Sequence, residues 1–178
     1  MLAYRDGDAG AFDALYARHK GGVYRYLLRQ CRNPAAAEEL FQDVWTNLIR
    51  ARATYTVQAK FTTYVYRLAH NRLIDHYRKH AQADVASFDA EDGPAIEDVV
   101  DERERPPDDA YDARRQAAEL LRLIGELPPS QREAFLLQQE GGMSVEEIAA
   151  ATGVSRETAK SRLRYAVARL RQGMSKWQ

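Results

Sequence analysis

Apolar residues recur at helical spacing almost throughout this chain, on both sides of one stretch that breaks the pattern. Ala11, Phe12, Leu15, Tyr16, Val23, Tyr24, Leu27 and Leu28 define a first helix, which Gly21 and Gly22 are expected to loosen midway. Asn33 is a good N-cap with Pro34 at the first helical position, opening a second helix to about Arg52. Its inner face is Ala37, Leu40, Phe41, Val44 and Leu48. A loop near Thr54–Lys60 leads to a third helix from Phe61 to about His80, with Phe61, Val65, Leu68 and Ala69 turned inward. The break follows at 81–113, where Pro94, Pro106, Pro107 and twelve acids accompany few large apolar residues. A flexible linker is expected there. Periodicity resumes with Ala117, Leu120, Leu121 and Ile124 and stops at Pro128-Pro129. Ser130 and Glu133 have the spacing of a capping box and are expected to start the next helix, through Ala134, Phe135 and Leu136 to Gly141-Gly142. The pattern predicts an all-α protein of two small helical domains, within what 178 residues allow.

The formal charges sharpen that division. The 26 basic and 26 acidic residues cancel overall, yet residues 1–80 carry a net +6, 81–113 a net −10 and 114–178 a net +4. Two basic blocks around an acidic one suggest two modules that face nucleic acid.

The last block spells a helix-turn-helix. Ser144 and Glu147 form a second capping box, so a short helix starts at Val145, with Ile148 and Ala149 on its apolar face. Gly153 sits where the chain must turn with positive φ, Val154 plugs the turn and Ser155 caps another helix. On that helix Ala159, Leu163, Ala166 and Leu170 share an inward face, and Arg156, Lys160, Arg164 and Arg171 share a neighbouring stripe. A tight turn and an exposed basic helix suit insertion into a major groove. The bland alternative is a surface helical hairpin with a solvated basic face.

Two further faces stand out. Tyr64, Arg67, Asn71 and Arg78 lie together on the third helix, away from its core face, with Tyr55 in the loop before it. Aromatic faces beside cations and an amide supply stacking surface, phosphate neutralisation and base-edge hydrogen bonds, which unstacked bases require. An amphipathic helix with tyrosines at the core rim reads equally well from this segment alone. On the second helix Glu39, Gln42, Asp43 and Thr46 form a polar stripe beside Trp45 and Ile49, both expected at the edge of the apolar arc and partly exposed. An aromatic anchor with a polar rim is a common protein-binding arrangement; the alternative is a wide core face.

Signals of catalysis are missing: no glycine-rich phosphate loop, no H-E-x-x-H, no cysteine pair. His76 and His80 are spaced for a metal, but Arg78 and Lys79 oppose a cation there, so no metal and no cofactor are expected. The single Cys31, the lack of any run of 18 apolar residues and an N-terminus without the apolar core of a signal peptide point to a reduced, cytoplasmic protein with no membrane insertion.

These features together resemble the extracytoplasmic-function sigma factors, the smallest members of the sigma-70 family. A-E-E-L-F-Q-D-V-W at 37–45 and K-F-T-T-Y-V-Y-R-L-A-H-N-R-L-I-D-H-Y-R at 60–78 are similar to sigma domain 2. L-P-P-S-Q-R-E-A-F at 127–135, S-V-E-E-I-A at 144–149 and S-R-E-T-A-K-S-R-L at 155–163 are similar to sigma domain 4. The resemblance implies domain 2 over 1–80, an acidic linker over 81–113 and domain 4 over 114–178. It implies a sigma factor, not an enzyme, that binds the β and β′ subunits of core RNA polymerase, recognises two promoter elements and aids melting of promoter DNA, with an anti-sigma factor as a further candidate partner.

The resemblance also assigns residues. Gln42, Asp43 and Trp45, with Glu39 and Thr46 of the same stripe, would meet polymerase. The loop Tyr55–Lys60 would pocket a flipped base of the minus-ten element, and Phe61, Tyr64, Arg67, Asn71, Arg72 and Arg78 would line that strand. Arg156, Lys160, Ser161, Arg164 and Tyr165 would meet the minus-thirty-five element. Many relatives carry Trp where this chain has Tyr64. Three rivals remain open on the residues alone: a helix-turn-helix repressor or activator working without polymerase, a helical metalloenzyme using His76 and His80, and a protein that docks on polymerase without reading DNA.

Overall fold

The structure, a computed structural model, describes residues 1–84 and 108–175, with side chains for 1–79 and 112–175. A short helix α1 (Leu2–Arg5) precedes α2 (Ala9–Cys31), α3 (Pro34–Arg50), a 3-10 turn at Arg52–Thr54 and α4 (Phe61–Asp84). Then come α5 (Asp108–Glu126), α6 (Pro129–Gly141), α7 (Val145–Thr152) and α8 (Arg156–Met174). Among the described residues there is no strand. The expected linker lies mostly outside the described residues, and the part of it that is described is helical: α4 runs on to Asp84 and α5 already begins at Asp108.

Local chemistry places most of the helix starts. The Asn33 side chain accepts the Ala36 amide at 3.0 Å, ahead of Pro34 at the first turn of α3. Ser144 accepts the Glu147 amide at 3.2 Å and the Glu147 carboxylate accepts the Ser144 amide at 2.9 Å, a complete capping box for α7. Gly153 has φ +68° and ends α7; Ser155 accepts the Thr158 amide at 3.1 Å and starts α8. The box expected at Ser130 and Glu133 does not form. Pro128 is the N-cap of α6 and Pro129 its first residue, which places Ser130 already inside the helix. Glu133 turns instead to distant partners described below.

Each half packs helix on helix, α2 with α3 and α4, and α6 with α7, α8 and, through α8, α5. The expected inner faces are largely those observed: Ala37, Leu40, Val44 and Leu48 are buried on α3, and Ala159, Leu163, Ala166 and Leu170 on α8. The halves also pack on each other, α6 against α2 and α7 against α4. One apolar cluster runs through both, joining Val23, Leu27 and Tyr66 to Leu136, Leu137 and Ile148.

That contact explains why α2 is unbroken at Gly21-Gly22, where a loosening was expected. A Cβ on Gly22 would lie 2.6 Å from the Tyr66 hydroxyl and 3.1 Å from the Glu140 carbonyl oxygen. Gly22 is there because α6 approaches, and packing overrides the intrinsic helix cost of glycine, about 1 kcal/mol.

Candidate nucleic-acid interface

The loop after α3 and the first turns of α4 enclose a cavity of about 410 Å³. Its walls are Tyr55, Thr56, Gln58 and Ala59 of the loop, Thr63, Tyr64 and Arg67 of α4, and Ala150 of α7. Tyr55 and Tyr64 meet edge to face with centroids 5.1 Å apart, and Phe61 lies 6.3 Å from Tyr64. Burial raises the Tyr64 hydroxyl above the ordinary tyrosine range, so it stays a neutral donor. Among the residues expected at the strand, Lys60, Arg67, Asn71 and Arg78 are exposed, and Phe61, Tyr64 and Arg72 are half-buried. Tyr55 differs: it is only 8 % exposed, held against Tyr64 and packed into the wall rather than standing free in the loop. Asp75, which the sequence reading passed over, binds Arg72 at 2.9 Å and Arg78 at 3.6 Å.

The stripe Glu39, Gln42, Asp43 and Thr46 is exposed on α3, next to an exposed Ile49. Trp45 is not at the rim as expected; it is 5 % exposed. A helical wheel of α3 cannot register what covers it: Phe12 and Tyr16 of α2 lie 6.0 and 4.9 Å away and Phe41 6.1 Å away, all close to edge-on. Trp45 therefore packs beneath the stripe.

The stripe on α8 is open to solvent. Arg156, Lys160, Arg164 and Tyr165 are exposed and Ser161 half-buried. Arg164 stacks on Tyr165 with its guanidinium 4.9 Å from the ring centroid. Arg156 pairs with Glu146 at 2.5 Å and Glu157 at 3.4 Å; its hydrogen bond holds the Glu146 carboxyl far below the usual range, at about 2. Among the described residues no cluster of three or more His, Cys, Asp or Glu could hold a metal, and no helix is long and apolar enough to cross a membrane.

A third constellation, the seam between the halves, escaped the sequence reading. Glu140 of α6, with a side chain 7 % exposed, receives Arg25 at 2.8 Å and Arg29 at 2.5 Å from α2. Glu133 accepts from the Tyr26 hydroxyl at 2.9 Å and meets His70 Nδ1 at 2.6 Å. Burial first, and then Glu133, pushes the Tyr26 hydroxyl far up, so it remains a donor. The buried Arg132 donates to the Gln30 side chain and backbone, both at 3.3 Å, and to the Gly125 carbonyl at 3.0 Å. Beside the cavity, Glu147 accepts from Lys60 at 3.1 Å and from Thr63 at 3.4 Å. Gly22 was the one signal of this seam in the sequence, and it reads only as a helix weakness until its neighbours are known.

Comparison with known proteins gives a consistent outcome. The family model for sigma-70 region 2 matches residues 15–83, and that for sigma-70 region 4 matches 117–170. The RNA polymerase sigma factor CarQ of Myxococcus xanthus is 33% identical over 97% of this chain and 94% of its own length. The ECF RNA polymerase sigma factor RpoE of Cereibacter sphaeroides is 34% identical over 98% and 93%. Among solved structures, the sigma factor RpoE of Bartonella quintana bound to the anti-sigma factor NepR superposes with a TM-score of 0.70 at 19% identity, covering 93% of this chain and 97% of that one. CnrH in complex with the cytosolic domain of CnrY gives 0.66 at 22% identity, covering 98% and 96%. At these identities the two structures share the fold.

Proposed function

Because this chain belongs to the extracytoplasmic-function branch of the sigma-70 family, and so serves as an RNA polymerase sigma factor in transcription initiation, we propose how its surfaces divide that work. Residues 1–80 act as the unit that docks on core polymerase and takes the minus-ten element. Residues 114–178 act as the unit that reads the minus-thirty-five element. The segment 81–113 tethers them.

The observation that carries this reading is the cavity at the foot of α4. About 410 Å³ walled by two tyrosines and bordered by Arg67 has the size and chemistry for one unpaired base: a stacking face, a cation for phosphate and hydroxyls for a base edge. Asn71, one to two turns further along α4, offers a donor and an acceptor to the next base. Capturing a flipped base offsets an unstacking cost of a few kcal/mol, so melting needs binding energy and no covalent chemistry from this chain. Lys160, Arg164 and Tyr165 supply the duplex contacts on α8, and Glu39, Gln42, Asp43 and Thr46 the polymerase contacts on α3.

The chain works in the cytoplasm, where polymerase is. An anti-sigma factor is a fitting further partner, because the structurally similar RpoE of Bartonella quintana was captured with one.

The test is permanganate footprinting of unpaired thymines on a promoter found by sequencing transcripts from core polymerase plus this chain. Asn71→Ala should leave a closed polymerase–promoter complex but lower thymine reactivity, and a pre-melted minus-ten bubble should recover the activity. Unchanged reactivity on the intact duplex for both Asn71→Ala and Tyr64→Ala would remove α4 from promoter opening.

A further inference from the structure

We propose that the residues ahead of α2 brace the loop that walls the α4 cavity, and that Tyr4 and Arg5 are positioning residues for base capture. This role rests on the reading of that cavity as the strand site.

Between Tyr55 and Lys60 only Tyr55 is buried; Thr56, Val57, Gln58, Ala59 and Lys60 are all exposed. A loop of one packed residue and five solvated ones keeps a single shape only if the packed one is held, since ordering each residue costs conformational entropy. Tyr55 is held from α1. The Arg5 guanidinium donates to the Tyr55 carbonyl at 3.4 Å and is itself kept in place by the Asp6 carboxylate at 2.8 Å. Tyr4 holds the turn that enters the loop. Its ring is buried, with the Arg52 guanidinium 5.1 Å from its centroid on one side and the Phe12 ring 5.2 Å away. Phe12 in turn meets Trp45 edge-on at 6.0 Å. The column of Arg52, Tyr4, Phe12 and Trp45 thus ties the loop entrance to α2 and α3.

The chain is turned to bring α1 to this place. Gly7 has φ +110°, which L side chains rarely adopt, and it folds α1 back against the loop. The Asp8 amide donates to the Ala3 carbonyl at 2.9 Å, and the Asp8 side chain accepts the Ala11 amide at 3.2 Å to start α2. A Cβ on Gly7 would meet nothing within 4 Å, so a side chain there strains the turn without touching the loop. Tyr4, Arg5 and Gly7 do not line the cavity. Whatever they do to a base they do through Tyr55 and its loop.

The test uses the full chain with core polymerase and three variants: Arg5→Ala, Tyr4→Leu and Gly7→Ala. Transcription is measured on pre-melted promoters that carry each of the four bases in turn at the minus-ten positions, which reads base preference apart from melting. Core affinity is measured by titration alongside. All three variants are expected to keep the core affinity of the natural chain and to lose preference at one minus-ten position, by about three- to tenfold for Arg5→Ala, the worth of one hydrogen bond. Natural preference in Arg5→Ala or Tyr4→Leu would overturn the brace. Lost preference in Arg5→Ala with natural preference in Gly7→Ala would also overturn it, because the arginine would then be acting on the strand directly. A fall in core affinity in step with transcription would overturn it too, since α1 would then hold the whole N-terminal half and not the loop. Tyr64→Ala separates this from the underlying reading. If it loses preference while the three variants do not, the cavity stands as the strand site without the brace; if it too keeps natural preference, the cavity reading falls and the brace with it.

Discussion

The α4 cavity and the α8 stripe, the two surfaces proposed to meet DNA, are built in opposite ways. The cavity is concave, walled by rings that also pack the fold, and shared with the other half of the molecule. The stripe is convex and solvated, its cations resting on a helix whose buried face is Ala159, Leu163, Ala166 and Leu170. A duplex offers its edges from outside, so a reader of duplex needs only a well-anchored helix with free side chains. An unpaired base needs an aromatic face to stack on, and here the rings that offer one also pack the fold. Stability and recognition are therefore joined at the cavity and separable at the stripe.

The largest effect should come from breaking that joint. Tyr55→Ala removes a ring that is 8 % exposed and should cost about 3 kcal/mol of stability, the usual range for a large buried ring, together with lost promoter opening. Thermal unfolding is the measurement; a melting temperature equal to that of the natural chain would mean that the ring does not hold the wall.

At the stripe the two losses should come apart. Arg164→Ala should leave stability within about 0.5 kcal/mol, as exposed positions do. It should weaken binding to the upstream promoter element by about 1–3 kcal/mol, and relax preference at one base pair if the contact is to a base edge. Binding titrations over single-base promoter variants distinguish that outcome from a uniform loss, which would make Arg164 a phosphate contact.

A smaller effect tests whether the stripe depends on its helix start. Ser155→Ala deletes the cap that accepts the Thr158 amide and should cost about 1 kcal/mol. Denaturant unfolding should show the loss, and Asp at the same position should restore most of it.

The smallest effect is a response to acid at the meeting point of the two regions. The Ser144 amide, and after it Lys60 and Thr63, hold the Glu147 carboxyl below its ordinary value of 4.5. A carboxylate whose value is lowered on folding contributes stability that is present above the unfolded value and is lost as pH falls through the folded one. The contact between α7 and α4 should therefore hold at neutral pH and weaken only below about 4.5, with amide exchange in α7 rising there. Exchange that rises already near neutrality would point to a different group.

The elements nearest to local chemistry were the most legible in the sequence. Asn33, Ser144 with Glu147, Gly153 and Ser155 mark helix ends because each acts on amides within three residues of itself. Ser130 with Glu133 has the same spacing and misleads, because Pro128-Pro129 starts the helix earlier and Tyr26 and His70 claim the carboxylate. Trp45 misleads for a related reason: its place on the wheel is right, and the rings of Phe12 and Tyr16 that cover it belong to another helix. The cations of α8 could be read directly, since nothing covers them. The closing of α6 and α7 onto α2 and α4 could not, because its contacts pair residues about a hundred positions apart and its acids sit among many others.

The Glu147 carboxylate divides its two oxygens between two scales of order. One accepts the Ser144 amide at 2.9 Å and the other accepts Lys60 at 3.1 Å. A glutamine in its place is nearly the same shape and still completes a capping box through its remaining oxygen. It would turn an amide NH₂ toward the lysine ammonium, donor against donor. Replacing one oxygen atom with nitrogen thus separates the capping of α7 from its ionic contact with Lys60.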